Sequence, residues 1–364
     1  MVLALTRLET YIFKCYCRNQ APNPRIQQTM TTKFKLLFAS LAFAGITTLS
    51  AQTVGYITRT VNPSSQNIFS LTFDVEPSSF VGVTSGVITS VASNSLTVTG
   101  AGWTTNFATT ALPYFVKITS GTAKGAVYRV ATANNTATTL NLTSINTNTP
   151  NINTRGINAG VDTFKIIEGK TLKTLFTGLD VFGTTSSATA DVIYINNTGS
   201  YESYFYNTSV SQWRPTSGAP VSADNVVINP QAGFIYLRRG NTALNLIFAG
   251  TVPTDDLNVP VNNTGNTMVS GTFPIDTTLG ALNIQNTPGW VSHSGSVTKP
   301  NADKVFIYTT SWAGYVFDSV DNRWEPTGPN IPANAAVVSA GSPVLLVKVG
   351  ATAGAAIATR TTPY

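Results

Sequence analysis

The segment Asp191-Val-Ile-Tyr-Ile returns 112 residues later as Asp303-Lys-Val-Phe-Ile, and this internal repeat decides the predicted fold. Two further pairs follow in the same order: Tyr204-Phe-Tyr-Asn with Tyr315-Val-Phe-Asp, and Gln212-Trp-Arg-Pro with Arg323-Trp-Glu-Pro. The offset between matching residues stays between 110 and 112. A fixed period of this kind predicts two copies of one structural unit.

The segments in and around the repeat have the pattern of β-strands. Val54-Gly-Tyr-Ile-Thr-Arg-Thr-Val and Tyr114-Phe-Val-Lys-Ile are rich in β-branched and aromatic residues, and Gly, Pro and Asn separate such runs. Only Leu172–Phe176 suggests a short helix. We therefore predict an all-β protein made of two related β-sandwich or barrel-like units.

The spacing of aspartates predicts a further β-domain inserted in the first unit. Asp74 and Asp191 are 117 residues apart, whereas Asp276 and Asp303 are 27 apart. The additional residues between Asp74 and Asp191 contain a block rich in Thr, Val and Gly. We predict a first unit over 52–245, with a small β-domain inserted at about 84–153, and a second unit over 246–364.

The N-terminus has the features of a secretory signal that begins at Met30. Lys33 and Lys35 precede the apolar run Leu36–Ile46, and small residues lead to a predicted cleavage site after Ala51. We interpret 30–51 as a signal peptide and 1–29 as a mis-assigned upstream extension. The alternative is translation from Met1 with one long basic region. Either start predicts export to the periplasm, the cell surface or the medium.

Removal of this leader changes the charge and cysteine counts. Six of the 22 Lys and Arg residues and one of the 16 acidic residues lie in 1–51, which leaves 16 basic and 15 acidic residues. The mature net charge is therefore about +1, which does not indicate a nucleic-acid-binding protein. Cys15 and Cys17 are both upstream, so the mature chain has neither disulfides nor thiol chemistry.

The segment Tyr315-Val-Phe-Asp-Ser-Val-Asp-Asn-Arg-Trp-Glu-Pro resembles a kelch-type hairpin. Kelch blades recur at about 50 residues, so the longer period here excludes a propeller. The signal peptide, Val54-Gly-Tyr-Ile-Thr and the two Trp-Pro hairpins together resemble a family of exported all-β repeat proteins of verrucomicrobia-like bacteria. That resemblance implies no known activity.

Residues suited to catalysis or metal binding are sparse. His293 is the only histidine, and Glu76, Glu168, Glu202 and Glu325 are the only glutamates after residue 51. A zinc site normally needs several His or Cys ligands, and a serine triad needs a Ser and an Asp placed beside the His. The single His293 in its local sequence does not indicate either kind of site. The pairs Asp255–Asp256 and Asp318–Asp321 could bind calcium, but we expect them to form turns. We predict no catalytic residue, no metal and no cofactor.

The aromatic hairpins are the one positive indication of a ligand. Exposed rings of Trp213, Trp324, Tyr204 and Tyr315 could stack on sugar faces. The alternative is that these rings pack across their hairpins and stabilise them. Arg238–Arg239 could border such a site or form a solvated strand end.

These observations favour an exported, non-enzymatic protein of the cell envelope, surface or matrix with a structural or adhesive role. The alternatives are a carbohydrate-binding module that uses the Trp and Tyr hairpins and, ranked below it, a glycoside hydrolase, which needs two suitably spaced carboxylates. The expected partners are further copies of the chain or surface glycans. We expect neither nucleic acid as a partner nor a transmembrane span after signal cleavage.

Overall fold

The computed structural model describes residues 53–78, 82–145, 149–196, 200–262, 264–270, 273–294 and 296–350, and the backbone of 356–360. The predicted upstream extension and signal peptide lie outside these residues. The regular secondary structure of the described chain consists almost entirely of antiparallel strands, which confirms the all-β prediction. Its sheets are open and pack in the manner of a sandwich.

The first unit is formed by strands from both sides of the predicted insertion. Its strands are β1 (Val54–Val61), β2 (Gln66–Ser70), β10 (Lys170–Thr171), β11 (Val192–Asn196), β12 (Tyr201–Asn207), β13 (Gln212–Pro215), β14 (Val227–Ile228), β15 (Gly233–Leu237) and β16 (Leu244–Thr251). Five of them form a sheet in the order β13-β12-β11-β15-β2, while β1 pairs with β16 and β10 with β14. The predicted helix is present as α1 (Leu172–Phe176), and Thr171 caps it by accepting a hydrogen bond from the Thr174 amide.

The second unit has the same pattern of strand pairs. Its strands are β17 (Leu257–Val261), β18 (Gly265–Val269), β19 (Thr277–Thr278), β20 (Lys304–Tyr308), β21 (Trp312–Asp318), β22 (Arg323–Pro326), β23 (Val337–Val338), β24 (Val344–Lys348) and β25 (Ala356–Arg360). The order β18-β24-β20-β21-β22 corresponds to that of the first sheet, and the pairs β17–β25 and β19–β23 complete the correspondence. Two 3-10 helices, Ile284–Asn286 and Lys299–Asn301, lie between β19 and β20.

A third, seven-stranded sheet lies between β2 and β10 in the sequence. Its strands are β3 (Ser85–Val87), β4 (Ser90–Ala92), β5 (Ser95–Thr97), β6 (Tyr114–Ile118), β7 (Val127–Val130), β8 (Thr139–Thr143) and β9 (Thr163–Glu168), in the order β3-β9-β6-β7-β8-β5-β4. A 3-10 helix, Ile152–Thr154, precedes β9. We call the segment 82–168 the inserted domain.

Two predicted boundaries differ from the strand pairing. The inserted domain extends to Glu168 and not to 153, because β9 pairs with both β3 and β6. The first unit extends to Thr251 and not to 245, because β16 pairs along its whole length with β1. Both limits depend on pairing between distant segments, which local patterns do not reveal.

Each of the three parts has its own apolar core. Trp103 and Phe164 lie in the core of the inserted domain, Phe69 and Phe234 in that of the first unit, and Val305 in that of the second. Burial of these side chains supplies the main favourable term in folding. No disulfide is needed to explain how the described chain is held together.

The two units contact each other through reciprocal hydrogen bonds. The Ser70 amide donates to the Gly341 carbonyl (3.0 Å), and the Ser270 amide donates to the Gln231 carbonyl (3.0 Å). Ser70 and Ser270 lie at corresponding places at the ends of β2 and β18, and Gln231 and Gly341 precede β15 and β24. Such reciprocity is typical of two-fold related surfaces, here within one chain.

Candidate functional site

The predicted stacking residues Trp213 and Trp324 lie in the two unit cores. Trp213 is 3% exposed and Trp324 is 1% exposed. Each pairs across its hairpin with an aromatic residue, Tyr206 in β12 and Phe317 in β21. The ring centroids of these pairs are 5.8 and 5.5 Å apart, in edge-to-face geometry. The indole faces are therefore used for packing and are not available to a sugar.

The predicted tyrosines do not complete a stacking surface either. The Tyr204 ring is buried in the core of the first unit, and its hydroxyl donates to Glu202 Oε2 at 2.6 Å. Tyr315 is half-buried and packs against the core of the second unit. The glycan-stacking site predicted from Trp213, Trp324, Tyr204 and Tyr315 is thus corrected to two sets of core aromatics.

A cavity of about 290 Å³ lies beside Trp213 in the first unit. Phe176 and Tyr206 line it, and Lys173 and Asp224 stand at its edge. These charges already have partners: Lys173 Nζ lies 3.5 Å from Asp224 Oδ2, and Asp224 Oδ1 accepts a hydrogen bond from the Trp213 amide. The cavity therefore offers a polar ligand no uncompensated charge from these two residues.

His293, Asp318 and Glu325 bring possible metal ligands within 4.8 Å of one another. His293 Nδ1 lies 3.1 Å from Asp318 Oδ2, and Glu325 is buried. Glu325 already pairs with two cations, Lys299 at 3.0 Å and Arg323 at 2.7 Å. Because these charges compensate the carboxylate, the cluster has the character of an ion-pair network more than of a metal site.

Asp318 forms the turn that we expected from its sequence. Its Oδ1 accepts hydrogen bonds from the amides of Val320 (2.8 Å) and Asp321 (3.3 Å). Burial opposes ionisation, but these amides and His293 hold the pKa of Asp318 below its ordinary value. The neighbouring Ser319 hydroxyl donates to the His293 carbonyl, so it is not placed as a nucleophile.

Asp191, the aspartate that begins the first repeated segment, is the centre of a buried ion pair. Asp191 Oδ2 lies 2.6 Å from Arg238 Nη1 and accepts a hydrogen bond from the Tyr236 hydroxyl at 2.7 Å. Asp191 Oδ1 accepts from the amides of Arg239 and Gly240. Both Asp191 and Arg238 are at most 2% exposed. The solvated strand end predicted at Arg238 is therefore wrong, because Asp191, distant in sequence, lies against it.

The second unit contains the corresponding pair. Asp303 Oδ2 lies 2.7 Å from Lys348 Nζ, and Asp303 accepts hydrogen bonds from the amides of Val291 (2.8 Å) and Val349 (2.7 Å). Removing one partner of such a pair leaves an unpaired buried charge. The repeated aspartates thus tie the start of β11 and β20 to the ends of β15 and β24.

A charge cluster joins the inserted domain to the first unit. Asp74 Oδ2 lies 3.1 Å from Lys117 Nζ and 2.5 Å from Lys165 Nζ. Asp255 approaches the same two lysines at 3.8 and 3.7 Å. Burial opposes ionisation, but the two lysines hold the pKa of Asp74 below its ordinary value. Asp255 therefore lies near two lysines. From the sequence alone, calcium binding by Asp255 was an alternative.

The surface feature with most potential for association is the ribbon formed by β1 and β16. Its outer face exposes Val54 (73%), Tyr56 (74%) and Ile247 (63%). Among the described strands, β1 pairs only with β16, so its other edge has no strand neighbour. The one charged side chain of β1, Arg59, points inward and donates to the Ala340 carbonyl and the Ser342 hydroxyl.

Comparison with known proteins gives no relative from which a function could be transferred. No protein-family model matches the chain, and neither curated proteins nor solved structures show a significant match. Within the described residues, no helix combines the length and apolar character that a membrane crossing requires.

Proposed function

We propose that the chain is an exported, non-enzymatic β protein of the cell envelope, surface or matrix, which associates with further copies of itself through β1. The observation that carries this proposal is the outer edge of β1, which pairs with no described strand and lies beside an exposed apolar face. The same proposal includes cleavage after Ala51, which would place β1 close to the mature N-terminus.

The edge of β1 lacks the features that usually prevent strands from pairing between molecules. Natural edges are protected by outward charges, prolines, bulges or short length. β1 has eight residues without proline, and Arg59 is turned towards the second unit. Antiparallel pairing of two such edges would satisfy backbone groups of both copies and bring Tyr56 and its symmetry mate to one surface.

The corresponding strand orders support the part of the proposal that treats the two units as copies of one segment. The buried pairs Asp191–Arg238 and Asp303–Lys348 support it further, because each occupies the same position in its unit. Their role in this proposal is to hold each sheet rigid without disulfides.

Association is tested by sedimentation velocity of the mature exported protein over a hundredfold concentration range. We expect concentration-dependent dimers or larger species. The double variant Val54→Lys/Tyr56→Lys should weaken association at least tenfold, about 1.4 kcal/mol, because four lysines would meet across a two-fold edge.

The matched control is Val161→Lys/Val320→Lys, since both valines are as openly exposed but lie away from the ribbon. This control should associate like the unaltered protein. A monomer at every concentration, or equal association of the two double variants, would overturn the role of β1. Cell fractionation and N-terminal sequencing test export separately, with Gln52 expected as the first residue.

A further inference from the structure

A cleft of about 350 Å³ lies between the inserted domain and the first unit. Phe115 and Arg129 line it from the inserted domain, and Glu202, Tyr204, Asn225 and Val226 line it from the first unit. Its volume falls within the range of small-molecule sites, which occur preferentially between domains.

The two walls of the cleft are held in fixed positions. Phe115, Ile145 and Val227 belong to one buried apolar cluster that joins the inserted domain to the first unit. Asn229 Nδ2 donates to the Ile145 carbonyl at 3.4 Å across the same junction. The backbone of both walls is therefore held in place, which lowers the entropic cost of binding.

Arg129 is the cation that lines the cleft. It lies on β7 between β6 and β8, is half-buried, and forms no ion pair with any described residue. Burial lowers the pKa of its guanidinium. By contrast, Arg238 and Arg323 each contact a carboxylate. A partly desolvated guanidinium favours a planar anion that can accept two hydrogen bonds, and a carboxylate meets that requirement.

Hydrogen-bond acceptors and donors suited to hydroxyl groups line the opposite wall. Glu202 is exposed and held by the Tyr204 hydroxyl at 2.6 Å, which leaves its other lone pairs open to the cleft. Asn225 is exposed and contributes an amide, whose Nδ2 lies 3.5 Å from Thr110 Oγ1. Val226, which is half-buried, gives the cleft apolar surface beside these groups.

We propose that this cleft binds an acidic saccharide, with the carboxylate of a uronic acid residue on Arg129 and ring hydroxyls on Glu202 and Asn225. This cleft is distinct from the proposed self-association surface, because it lies apart from the outer edge of β1 and uses none of its residues. It also differs from the stacking site predicted from the sequence, since it relies on Arg129, Glu202 and Asn225 and not on an aromatic face.

The test is calorimetric titration of the mature protein with a tetrasaccharide of alternating glucuronic acid and N-acetylglucosamine. The comparison ligand is the same tetrasaccharide with its carboxylates reduced to alcohols. We expect the acidic form to bind at least tenfold more tightly than the reduced form, and 0.5 M NaCl to remove most of that difference. Absence of binding by the acidic form, or equal binding of both forms, would overturn the proposal.

Variants then locate the site. Arg129→Gln should weaken binding of the acidic form at least tenfold, whereas Arg214→Gln on β13 should bind within twofold of the unaltered protein. Arg129→Lys keeps the charge but loses the planar guanidinium, so its affinity should lie between those of the unaltered protein and Arg129→Gln. It provides the test if Arg129→Gln does not fold. Unchanged affinity in folded Arg129 variants would exclude this cleft, whatever the outcome for self-association.

Discussion

The ribbon β1–β16 of the first unit and the ribbon β17–β25 of the second occupy the same place in the strand order but differ in exposure. Side chains of β1 alternate between exposed and half-buried until Val61, whereas every residue of β17 is buried. The inserted domain packs against the start of β17: Arg155 Nη2 donates to Asn258 Oδ1 at 2.7 Å, and the Asn258 amide donates to the Gly125 carbonyl. An insertion in one unit thus covers part of the other and leaves its own ribbon open.

The two ribbons also differ in whether their sequences contain residues that prevent strand pairing between molecules. Pro260 lies within β17 and removes one backbone donor, whereas β1 contains no proline. The more protected sequence belongs to the strand that the fold already covers. The exposed strand is the one without protection, which is the difference that the proposed association depends on.

The largest expected difference between the ribbons is the effect of a new charge. Val259→Lys in β17 should cost roughly 4 kcal/mol or more, because Val259 is 2% exposed and the ammonium would lack a partner. Tyr56→Lys in β1 should change the free energy of unfolding by less than about 0.5 kcal/mol. Urea unfolding of both variants measures this, and similar losses would contradict the assigned exposures.

The next largest loss in the free energy of unfolding should come from breaking the buried ion pairs. Asp191→Ala and Asp303→Ala should each cost about 3–5 kcal/mol, since each leaves a buried cation unpaired. The loss should be larger for Asp191, because it also accepts a hydrogen bond from the Tyr236 hydroxyl. Urea unfolding with the exposed Asp180→Ala as control tests the comparison, and a loss at Asp180 equal to that at Asp191 would contradict it.

The contact that covers β17 should contribute less. Arg155→Ala should cost about 1.5–3 kcal/mol, the range for a hydrogen bond to a charged group. Lys124→Ala removes the nearby pair with Asp256, which is 3.8 Å long and partly exposed, so it should cost at most about 1 kcal/mol. Thermal unfolding of the two variants provides the check, and the reverse order would show that Arg155 does not secure β17.

The pH dependence of the Asp74 cluster should be the smallest effect. Lys117 and Lys165 of this cluster belong to the inserted domain, so only the first unit has it. Its lowered pKa means that its stabilisation is present above the ordinary value near 3.9 and is lost as the pH falls through the folded value, at about 1.4 kcal/mol per unit of lowering.

Unfolding measured between pH 7 and pH 2 should therefore show a steeper acid loss for the unaltered protein than for Asp74→Asn. Because Asp318 and Glu325 also have lowered pKa values, the difference between the two profiles is the relevant quantity. Asp180→Asn should follow the unaltered protein. Parallel profiles for Asp74→Asn would rule out the cluster as a source of acid sensitivity.

Much of the fold could be predicted from local patterns. The alternation around Asp191 and Asp303 predicted strands that the structure contains, and Leu172–Phe176 is helical as expected. The limits at 153 and 245 were misplaced because β9 and β16 are defined by partners far away in sequence. For Trp213, the sequence allowed either packing across the hairpin or stacking on a sugar. Its burial in the structure favours packing.

The sequence by itself determined that this chain would form antiparallel sheets with two matching hairpins, because side-chain alternation and turn residues act over a few neighbouring positions. Only the tertiary structure decided that Arg238 is buried against Asp191, that Arg129 lines a cleft and forms no ion pair with a described carboxylate, and that β1 stays open while β17 is covered. The reason is physical: burial and electrostatic compensation depend on which distant segments pack together, and no local pattern of residues contains that information.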